Sequence, residues 1–413
     1  MRRVLLIAFH YPPMHGSSGL QRTYRFAQYL GEFGWQPTVL SIDPRAYTAT
    51  SASASDLENV EVCRAFGVDS ARCFSLFGRY PGFIARPDRW VSWWLGGVFS
   101  GLKLIRSFRP DVLWSTYPIA TAHLIGHTLA KRSGLPWVAD FRDPMAHDGY
   151  PEDAATWQSF LRVEQKVFSL ATAATFTTAG AQAFYRQRYP ATRTKFHQIE
   201  NGYDEDAFAT AESRLLAAYP AGAGRIVLLH SGIVYPEWRN PQMFFRAIRL
   251  LADEGHPAVQ RLCVRFRAAA HDEFVAQLAR EENVSDFMEL QPDVDYIEAL
   301  TEMMTVEGLL LLQNAECNAQ VPAKFYEYLR AGKPILALTD LQGDTARLLR
   351  GHTGHQIADL SSADDIKRAL TAWLDGLTEM TVRSGSVPAP SIIACSRRAR
   401  TGQLADVLNS VLR

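Results

Sequence analysis

The chain has 413 residues, more than a single hydrophobic core usually organises, so about two domains are expected. Lysine and arginine together number 43, as do aspartate and glutamate, and the formal net charge is zero. This balance argues against nucleic acid as a general partner, because nucleic-acid binding usually requires a clear basic excess. The five cysteines have no metal-ligand spacing, which is typical of free thiols in a reducing compartment.

The N-terminal segment "MRRVLLIAFHYPP" predicts a first β-strand at Val4–Phe9. It superficially resembles a signal peptide, but its apolar run is short and no small-residue cleavage site follows. No stretch of the sequence is long and apolar enough to predict a membrane span. We therefore expect a cytoplasmic protein.

Short apolar strands alternate with helical patterns through the first half of the chain. A helix is predicted over Gly19–Phe33, a polar loop over residues 45–60, and the first sheet closes near residue 200. The remaining strands are predicted in "WQPTVLSI", "DVLWST", "PWVADF", "AATFTTAG" and "KFHQIENGYD". Alternation of this kind predicts a parallel, doubly wound α/β sheet.

The same pattern restarts at "RIVLLHSG" (225–232), followed by a helix at about Pro241–Glu254. Further strands are predicted in "RLCVRFRA", "DFMELQP", "EGLLLLQ" and "PILALTD". This gives two Rossmann-like domains, residues 1–200 and 201–395, with a C-terminal helix at 396–413 packing back on the first. Ligands of such sheets bind at the carboxyl ends of the strands, so two facing domains would suit a two-substrate reaction.

The segment "QVPAKFYEYLRAGKPILAL" predicts a helix that starts near Pro322, ends at Gly332 and leads into a buried strand. Lys324 lies in the first turn, where a cation faces the positive end of the helix dipole at a cost of a few tenths of a kcal/mol. Glu327 shares its face of the helix. Lys324 therefore either forms a solvated ion pair with Glu327 or binds an anion.

The segment "RWVSWWLGGVFSGLKLIR" (89–106) places three tryptophans at helical spacing between basic residues. It predicts either a core helix of the first domain or a surface for a lipid-linked acceptor or a membrane.

Five segments, taken in order, resemble GT-B-fold glycosyltransferases, and specifically the retaining family-4-like group. They are "FHYPPMHGSSGLQRTYRFAQYL", "PWVADFRDP", "IENGYDEDAF", "HSGIVYPEWRNPQMFFRAI" and "VPAKFYEYLRAGKPILAL". The resemblance covers nearly the whole chain. It implies that the second domain binds a nucleotide sugar and that the first binds the acceptor.

On the donor side, the resemblance implies that Glu327 holds the ribose hydroxyls of the nucleotide. Arg239 and Lys324 would stabilise the departing diphosphate, whose negative charge grows during the reaction. The turn after the strand at Gly232, the helix start at Pro322, and the backbone at Gly16 and Gly19 would also contact the donor.

This sequence departs from the family pattern at two donor-side positions. The usual lysine after the arginine is Asn240 here. The first of two family glutamates falls on Ala319, for which Glu316 or Gln320 is the nearest substitute.

The acceptor side is predicted around "DFRDP". Arg142 lies where many relatives have a histidine; it cannot act as a base because its guanidinium stays protonated, but it would pair with Asp143 or bind an anionic group. Asp140 and Asp143 would orient the acceptor hydroxyl or accept its proton. The alternative is a structural Arg–Asp network. The secondary candidates are His10 and His123.

We therefore expect a metal-independent glycosyltransferase that moves a sugar from a UDP- or GDP-linked donor to a hydroxyl of a glycan, lipid-linked or small-molecule acceptor, with retention of configuration. No cofactor is expected. Polysaccharide biosynthesis and peripheral contact with the inner face of a membrane are consistent with this prediction. Two alternatives stay open: a nucleotide-sugar epimerase of the same fold and a non-catalytic sugar-nucleotide-binding protein.

Overall fold

The computed structural model describes residues 1–14, 18–50, 56–73, 82–218, 224–379 and 389–412. The chain divides into a first unit, Met1–Asn201 with Arg397–Arg413, and a second unit, Gly202–Ser396. These limits lie one residue beyond the predicted domain boundaries.

The first unit contains, within the described ranges, a seven-stranded parallel sheet in the order β3-β2-β1-β4-β5-β6-β7. Its strands are β1 (Arg2–Ile7), β2 (Trp35–Ile42), β3 (Glu61–Ala65), β4 (Val112–Thr116), β5 (Trp137–Phe141), β6 (Ala173–Phe176) and β7 (Lys195–Gln198). Its helices up to this point are α1 (Ser18–Tyr29), α2 (Ser70–Cys73), α3 (Trp93–Ser107), α4 (Ala120–Ser133), α5 (Ala154–Leu170) and α6 (Ala179–Arg188).

The second unit contains, again within the described part of the chain, a six-stranded parallel sheet in the order β10-β9-β8-β11-β12-β13. Its strands are β8 (Ile226–Ser231), β9 (Leu262–Arg267), β10 (Met288–Gln291), β11 (Gly308–Leu312), β12 (Ile335–Leu338) and β13 (Gln356–Ala358). Its helices are α7 (Glu205–Ala218), α8 (Gln242–Asp253), α9 (Asp272–Glu281), α10 (Tyr296–Thr305), α11 (Ala323–Ala331), α12 (Asp344–Leu349), α13 (Ala363–Glu379) and α14 (Pro390–Ile393).

The last helix, α15 (Arg397–Ser410), belongs to the first unit. Arg400 on α15 donates to the Glu200 carboxylate at 2.6 Å, and Leu404 and Leu408 pack in the same apolar cluster as Val4 of β1.

Both sheets are buried on two faces, as parallel sheets usually are. In β1, Leu5 packs in one apolar cluster and Leu6 packs in another. In β11, the neighbouring residues Leu310 and Leu309 likewise pack in two different apolar clusters. Successive side chains of a strand point to opposite faces, so continuous apolar runs such as "VLLI" are what a covered parallel sheet requires. The predicted pair of parallel, doubly wound domains is confirmed.

Two short edge strands, β3 and β13, were missed in the sequence. β3 and β13 each pair with a neighbour on one side alone, and their residues are mixed in polarity. An edge strand needs less apolar surface than a central one, so its sequence signal is weak. β3 begins one residue after the predicted polar loop, and residues 51–55 of that loop lie outside the described residues.

The tryptophan segment belongs to the core of the first unit. Trp93 is fully buried, and Trp90 and Trp94 pack against the same apolar cluster. The outward face of α3 instead carries Leu95 and Phe99, which are 63% and 77% exposed. Among the helices of the described residues, none combines the length and the apolar character needed to traverse a bilayer.

Candidate functional site

The strand β8 of the second unit ends in a turn that approaches α11 closely. Gly232 has a φ of +104°, and a Cβ placed on it would lie 3.1 Å from Lys324 Nζ. A side chain here would be strained and would crowd the ammonium group, so glycine is the suitable residue. The Gly232 N–H donates to the Arg267 carbonyl at 2.8 Å, which fixes the turn.

Lys324 lies beside His230, the buried histidine near the end of β8. His230 Nδ1 is 3.0 Å from the Leu310 carbonyl oxygen, and a carbonyl oxygen only accepts, so Nδ1 carries the proton of the neutral ring. This leaves His230 Nε2 as the acceptor for Lys324 Nζ, 3.2 Å away. The tautomer follows from the hydrogen-bond network. His230 thus orients Lys324 without neutralising its charge.

Arg239 is the second cation of this cluster, and it comes from the loop after β8. Its Nη1 donates to the Ile233 carbonyl at 2.6 Å, and its guanidinium lies over the Tyr235 ring at 5.2 Å. Carbonyl and ring contacts position the guanidinium but do not neutralise it.

Burial and mutual repulsion shape the electrostatics of the cluster. Burial, reinforced by Arg239, holds the pKa of Lys324 well below its usual value, and the Glu327 carboxylate partly opposes this shift. Burial, with Lys324 and Arg239, lowers the pKa of His230 well below its usual value. Burial also lowers the pKa of Arg239. Strongly shifted pKa values in one place are a feature of functional sites, and an arriving anion would relieve this repulsion.

The start of α11 adds helix-terminal N–H groups to the two cations. Pro322 is the N-cap, one position before the predicted first turn, and its ring provides no side-chain cap. The helix therefore presents its positive end beside Lys324, an arrangement that favours anions. As predicted, α11 ends at Ala331, followed by Gly332 at a φ of +70°.

Glu327 lies one turn further along α11 and is half-buried. Its Oε1 accepts from the Tyr296 hydroxyl at 2.9 Å, whereas Lys324 contacts His230. The two side chains have separate partners, so the simple solvated ion pair is not what the structure contains. Within the described residues, no hydrogen bond is made to Glu327 Oε2, which leaves it available to a ligand. Glu316 is exposed in the 3-10 turn Ala315–Cys317.

In the first unit, Asp140 is fully buried and its four hydrogen bonds are all internal. Arg22 of α1 donates to both carboxylate oxygens, at 2.8 and 2.9 Å. The hydroxyls of Thr116 and Thr175 donate at 2.9 and 2.6 Å. Although burial opposes it, the Arg22 guanidinium holds the pKa of Asp140 below its usual value. Asp140 therefore braces the fold, and its predicted acceptor-side role is corrected to a structural one.

Arg142, His10 and Gly19 meet at the ends of β1 and β5. A Cβ on Gly19 would lie 2.5 Å from Arg142 Nη1 and 2.6 Å from His10 Nδ1, so the first turn of α1 approaches both side chains. Burial, reinforced by Arg142, lowers the pKa of His10 to about 3, and burial lowers the pKa of Arg142. Burial also raises the pKa of the neighbouring Asp143, although Arg142 opposes this. Gly16 lies outside the described residues.

His123 lies in the apolar core instead of at a substrate surface, which corrects its predicted role. It is fully buried, its Nδ1 is 2.8 Å from Ser115 Oγ, and its ring packs 4.9 Å from that of Phe141. Burial lowers its pKa to about 3, so it stays neutral as a packing residue.

Three contributors to these clusters were missed from the sequence: His230, Tyr296 and Arg22. A histidine at the end of an apolar strand was a usable signal for His230, because strand ends face ligands in such sheets. Arg22 and Tyr296 carry no local signal. In the described part of the chain, no group of histidine, cysteine or acidic side chains has the arrangement of a metal site.

Residues 19–202, most of the first unit, match the family described as the glycosyl transferase 4-like domain. No curated protein sequence matches the chain.

Several solved structures are similar over the full length. Sucrose-phosphate synthase from Thermosynechococcus elongatus has a TM-score of 0.67 at 13% identity, covering 100% of this chain and 99% of that one. The UDP-forming α,α-trehalose-phosphate synthase from Burkholderia xenovorans, in complex with glucose-6-phosphate, has a TM-score of 0.68 at 11% identity, covering 100% of both chains. WaaG, a glycosyltransferase involved in lipopolysaccharide biosynthesis, has a TM-score of 0.57 at 12% identity, covering 99% and 97%.

At these identities the structural neighbours establish the fold alone, and the family match is confined to residues 19–202. The chain has the GT-B fold, and residues 19–202 of its first unit are similar to the glycosyl transferase 4-like domain.

Proposed function

We propose that this protein is a glycosyltransferase, which moves a sugar from a nucleotide-sugar donor, UDP- or GDP-linked, to an acceptor hydroxyl with retention of configuration. The observation that carries the proposal is the cationic cluster of Lys324 and Arg239 at the start of α11. Two partly buried cations, held by neutral partners beside a helix N-terminus, suit the negative charge of a diphosphate.

In this proposal Glu327 binds the ribose. Its Oε1 is held by Tyr296, and its Oε2 accepts from a ribose hydroxyl. Lys324 and Arg239 bind the diphosphate, and Gly232 keeps the β8 turn free of side chains. The UDP-forming trehalose-phosphate synthase of the same fold supports a uridine nucleotide as the first donor to test.

Catalysis would follow from charge that grows on the leaving group. As the glycosidic bond breaks, the diphosphate gains negative charge, and fixed cations bind that transition state more tightly than the ground state. Retention would follow from substitution on the same face, in which the departing phosphate accepts the proton of the acceptor hydroxyl. Asp143, whose pKa is raised by burial, is the alternative proton acceptor in the first unit.

We also propose that the protein binds peripherally to a membrane through helix α3. The exposed face of α3 carries Leu95 and Phe99, and one to three turns further along the helix the exposed Lys103 and Arg106. Apolar and basic residues on one helix face suit peripheral binding to an anionic bilayer. Replacing Leu95 and Phe99 with serine should reduce binding to anionic vesicles while leaving the melting temperature unchanged, and unchanged vesicle binding would contradict this part.

The experiment for the main proposal is a screen of nucleotide sugars by thermal shift, followed by product analysis. A ligand at 100 times its dissociation constant stabilises the protein by about 2.7 kcal/mol. Donors that shift the wild type and not Glu327→Ala are then incubated with and without candidate acceptors, and the anomeric configuration of the product is read by NMR.

Donor turnover that requires an acceptor supports transfer. An isomerised donor formed without an acceptor would support the epimerase alternative. Binding without any turnover would support the non-catalytic one.

A further inference from the structure

The strongest unexplained feature outside the donor cluster is the Arg142 side chain. It is 8% exposed, and its Nε is buried with no hydrogen-bond partner among the described residues. A buried donor left unpaired costs about 1–3 kcal/mol, and strain, a functional role, or a bound water or ion can account for such a group in a native protein.

The surrounding charges do not neutralise Arg142. Of the groups that influence its pKa, Arg22 and Arg397 are cationic, and Asp143 and Asp140 are anionic. Two cationic and two anionic side chains therefore surround Arg142 itself. Asp140 is already committed to Arg22 through two hydrogen bonds. Asp143 acts on Arg142 electrostatically, and its own pKa is raised, so it favours the neutral form more than a free carboxyl does.

The local backbone adds a second attraction for an anion. The first turn of the twelve-residue α1 approaches Arg142 at Gly19, where a Cβ would lie 2.5 Å from Nη1. The positive end of a helix dipole therefore meets a buried guanidinium at the carboxyl ends of the strands. Thr177 donates to the Arg142 carbonyl, and Tyr185 accepts from the Met145 N–H at 2.8 Å, which holds the segment after β5 in place.

We infer that the substrate bound by the first unit carries an anionic group, a phosphate or a carboxylate, and that Arg142 binds it. This inference deepens the proposed function, on which it rests, by assigning the class of the second substrate: an anionic sugar or sugar derivative. Arg142 is then a specificity-determining residue, because a planar guanidinium binds two oxygens of one anionic group. The neutral His10 ring, whose pKa is about 3, lines the same place without adding charge.

The test separates this site from the donor cluster, which also attracts phosphate. Binding of inorganic phosphate to the full chain is measured by calorimetry in the Lys324→Ala/Arg239→Ala double variant, in which the second-unit cations are gone. Adding Arg142→Gln should weaken the remaining affinity by about 10- to 100-fold, since hydrogen bonds to charged groups are worth this much. Arg142→Lys should recover part of it.

Two further variants test whether Arg142→Gln weakens phosphate binding by removing a contact to the anion or by disturbing the structure. Arg162→Gln removes the same charge from an exposed position on α5 and should leave phosphate binding unchanged. Gly19→Ala would place a methyl group 2.5 Å from Arg142 Nη1, so it should weaken phosphate binding, and its melting temperature is measured alongside because the methyl group also approaches the buried His10 ring.

The source of the anionic group is resolved by comparing a hexose 6-phosphate, a hexuronate and the neutral hexose. The anionic sugar that fits should bind at least tenfold more tightly than the neutral one, and Arg142→Gln should abolish that difference. Equal affinity for neutral and anionic sugars would overturn the inference, and so would a phosphate affinity that is unchanged by Arg142→Gln. Nucleoside diphosphate binding lost in Glu327→Ala reports on the proposed donor site separately, so either assignment can fail alone.

Discussion

Asp140 and Lys324 are both charged groups near the carboxyl ends of central strands, but the protein surrounds them differently. Asp140 is fully buried, pairs with Arg22 and accepts four internal hydrogen bonds. Lys324 contacts a neutral histidine and lies near a second cation. Removing one partner of a complete buried ion pair is strongly destabilising, whereas we expect a charge whose partners are neutral to bind a ligand. The same contrast separates Asp140 from Arg142 within the first unit.

The largest effect that tests this contrast concerns stability. Asp140→Ala should lower the free energy of unfolding of the first unit by about 3–5 kcal/mol, because it leaves Arg22 buried without a counter-charge. Lys324→Met should leave the free energy of unfolding unchanged or raise it in the absence of ligand. It removes a charge that has no counter-charge in contact within the ranges that the structure describes, and the methionine side chain is similar in length to that of lysine. Denaturant unfolding of both variants measures the difference, and equal destabilisation by the two substitutions would contradict it.

The next effect concerns turnover. Arg239→Ala should lower kcat by about 10²- to 10³-fold, which is the usual effect of removing one preorganised hydrogen-bond donor that stabilises the charge developing in the transition state. It should raise the KM for the nucleotide sugar much less. Arg239→Lys should recover only part of the rate, because a point charge lacks the forked geometry of the guanidinium. Steady-state kinetics with both substrates varied provide the measurement. Near-normal turnover in both Arg239→Ala and Lys324→Ala would mean that the donor site lies elsewhere.

A smaller effect is expected for the ribose contact. Glu327→Ala should weaken nucleoside diphosphate binding by about 2 kcal/mol, since hydrogen bonds to a charged group contribute about 1.5–3 kcal/mol each. Glu327→Gln keeps the shape and the bond from Tyr296 and should lose less. Calorimetry on folded variants decides this, and unchanged affinity in Glu327→Ala would remove Glu327 from the site.

The sequence predicted the elements that local patterns determine. Buried strands such as β8 and β11 are short apolar runs, and Gly232 and Gly332 follow elements at positive φ. Partners that meet across the fold have no such pattern: Arg22 and Asp140 are 118 residues apart, and His230 and Lys324 are 94 apart. Asp140 and His123 were therefore read as substrate-facing because their residue types suit chemistry, whereas their burial and internal partners show packing roles.

The smallest expected effect is the pH dependence of donor binding. The pKa of Lys324 is lowered because burial and Arg239 disfavour its charged form. A bound diphosphate favours that form and should raise the pKa again. Binding should then take up a proton where the pH lies between the pKa of Lys324 in the free protein and its higher pKa in the complex. Linkage requires the affinity to fall as the pH rises there, by up to about tenfold for each pH unit.

The neighbouring groups do not produce this slope. His230 has a pKa well below its usual value and stays neutral, and Arg239 stays charged because an arginine side chain is not deprotonated in proteins. The diphosphate itself is fully ionised well above a pKa of about 6. Calorimetry between about pH 7 and pH 9, in buffers of different ionisation enthalpy, counts the protons taken up. Lys324→Met should abolish the uptake that the wild type shows, and the same proton count in both proteins would mean that the ammonium group of Lys324 does not contact the diphosphate.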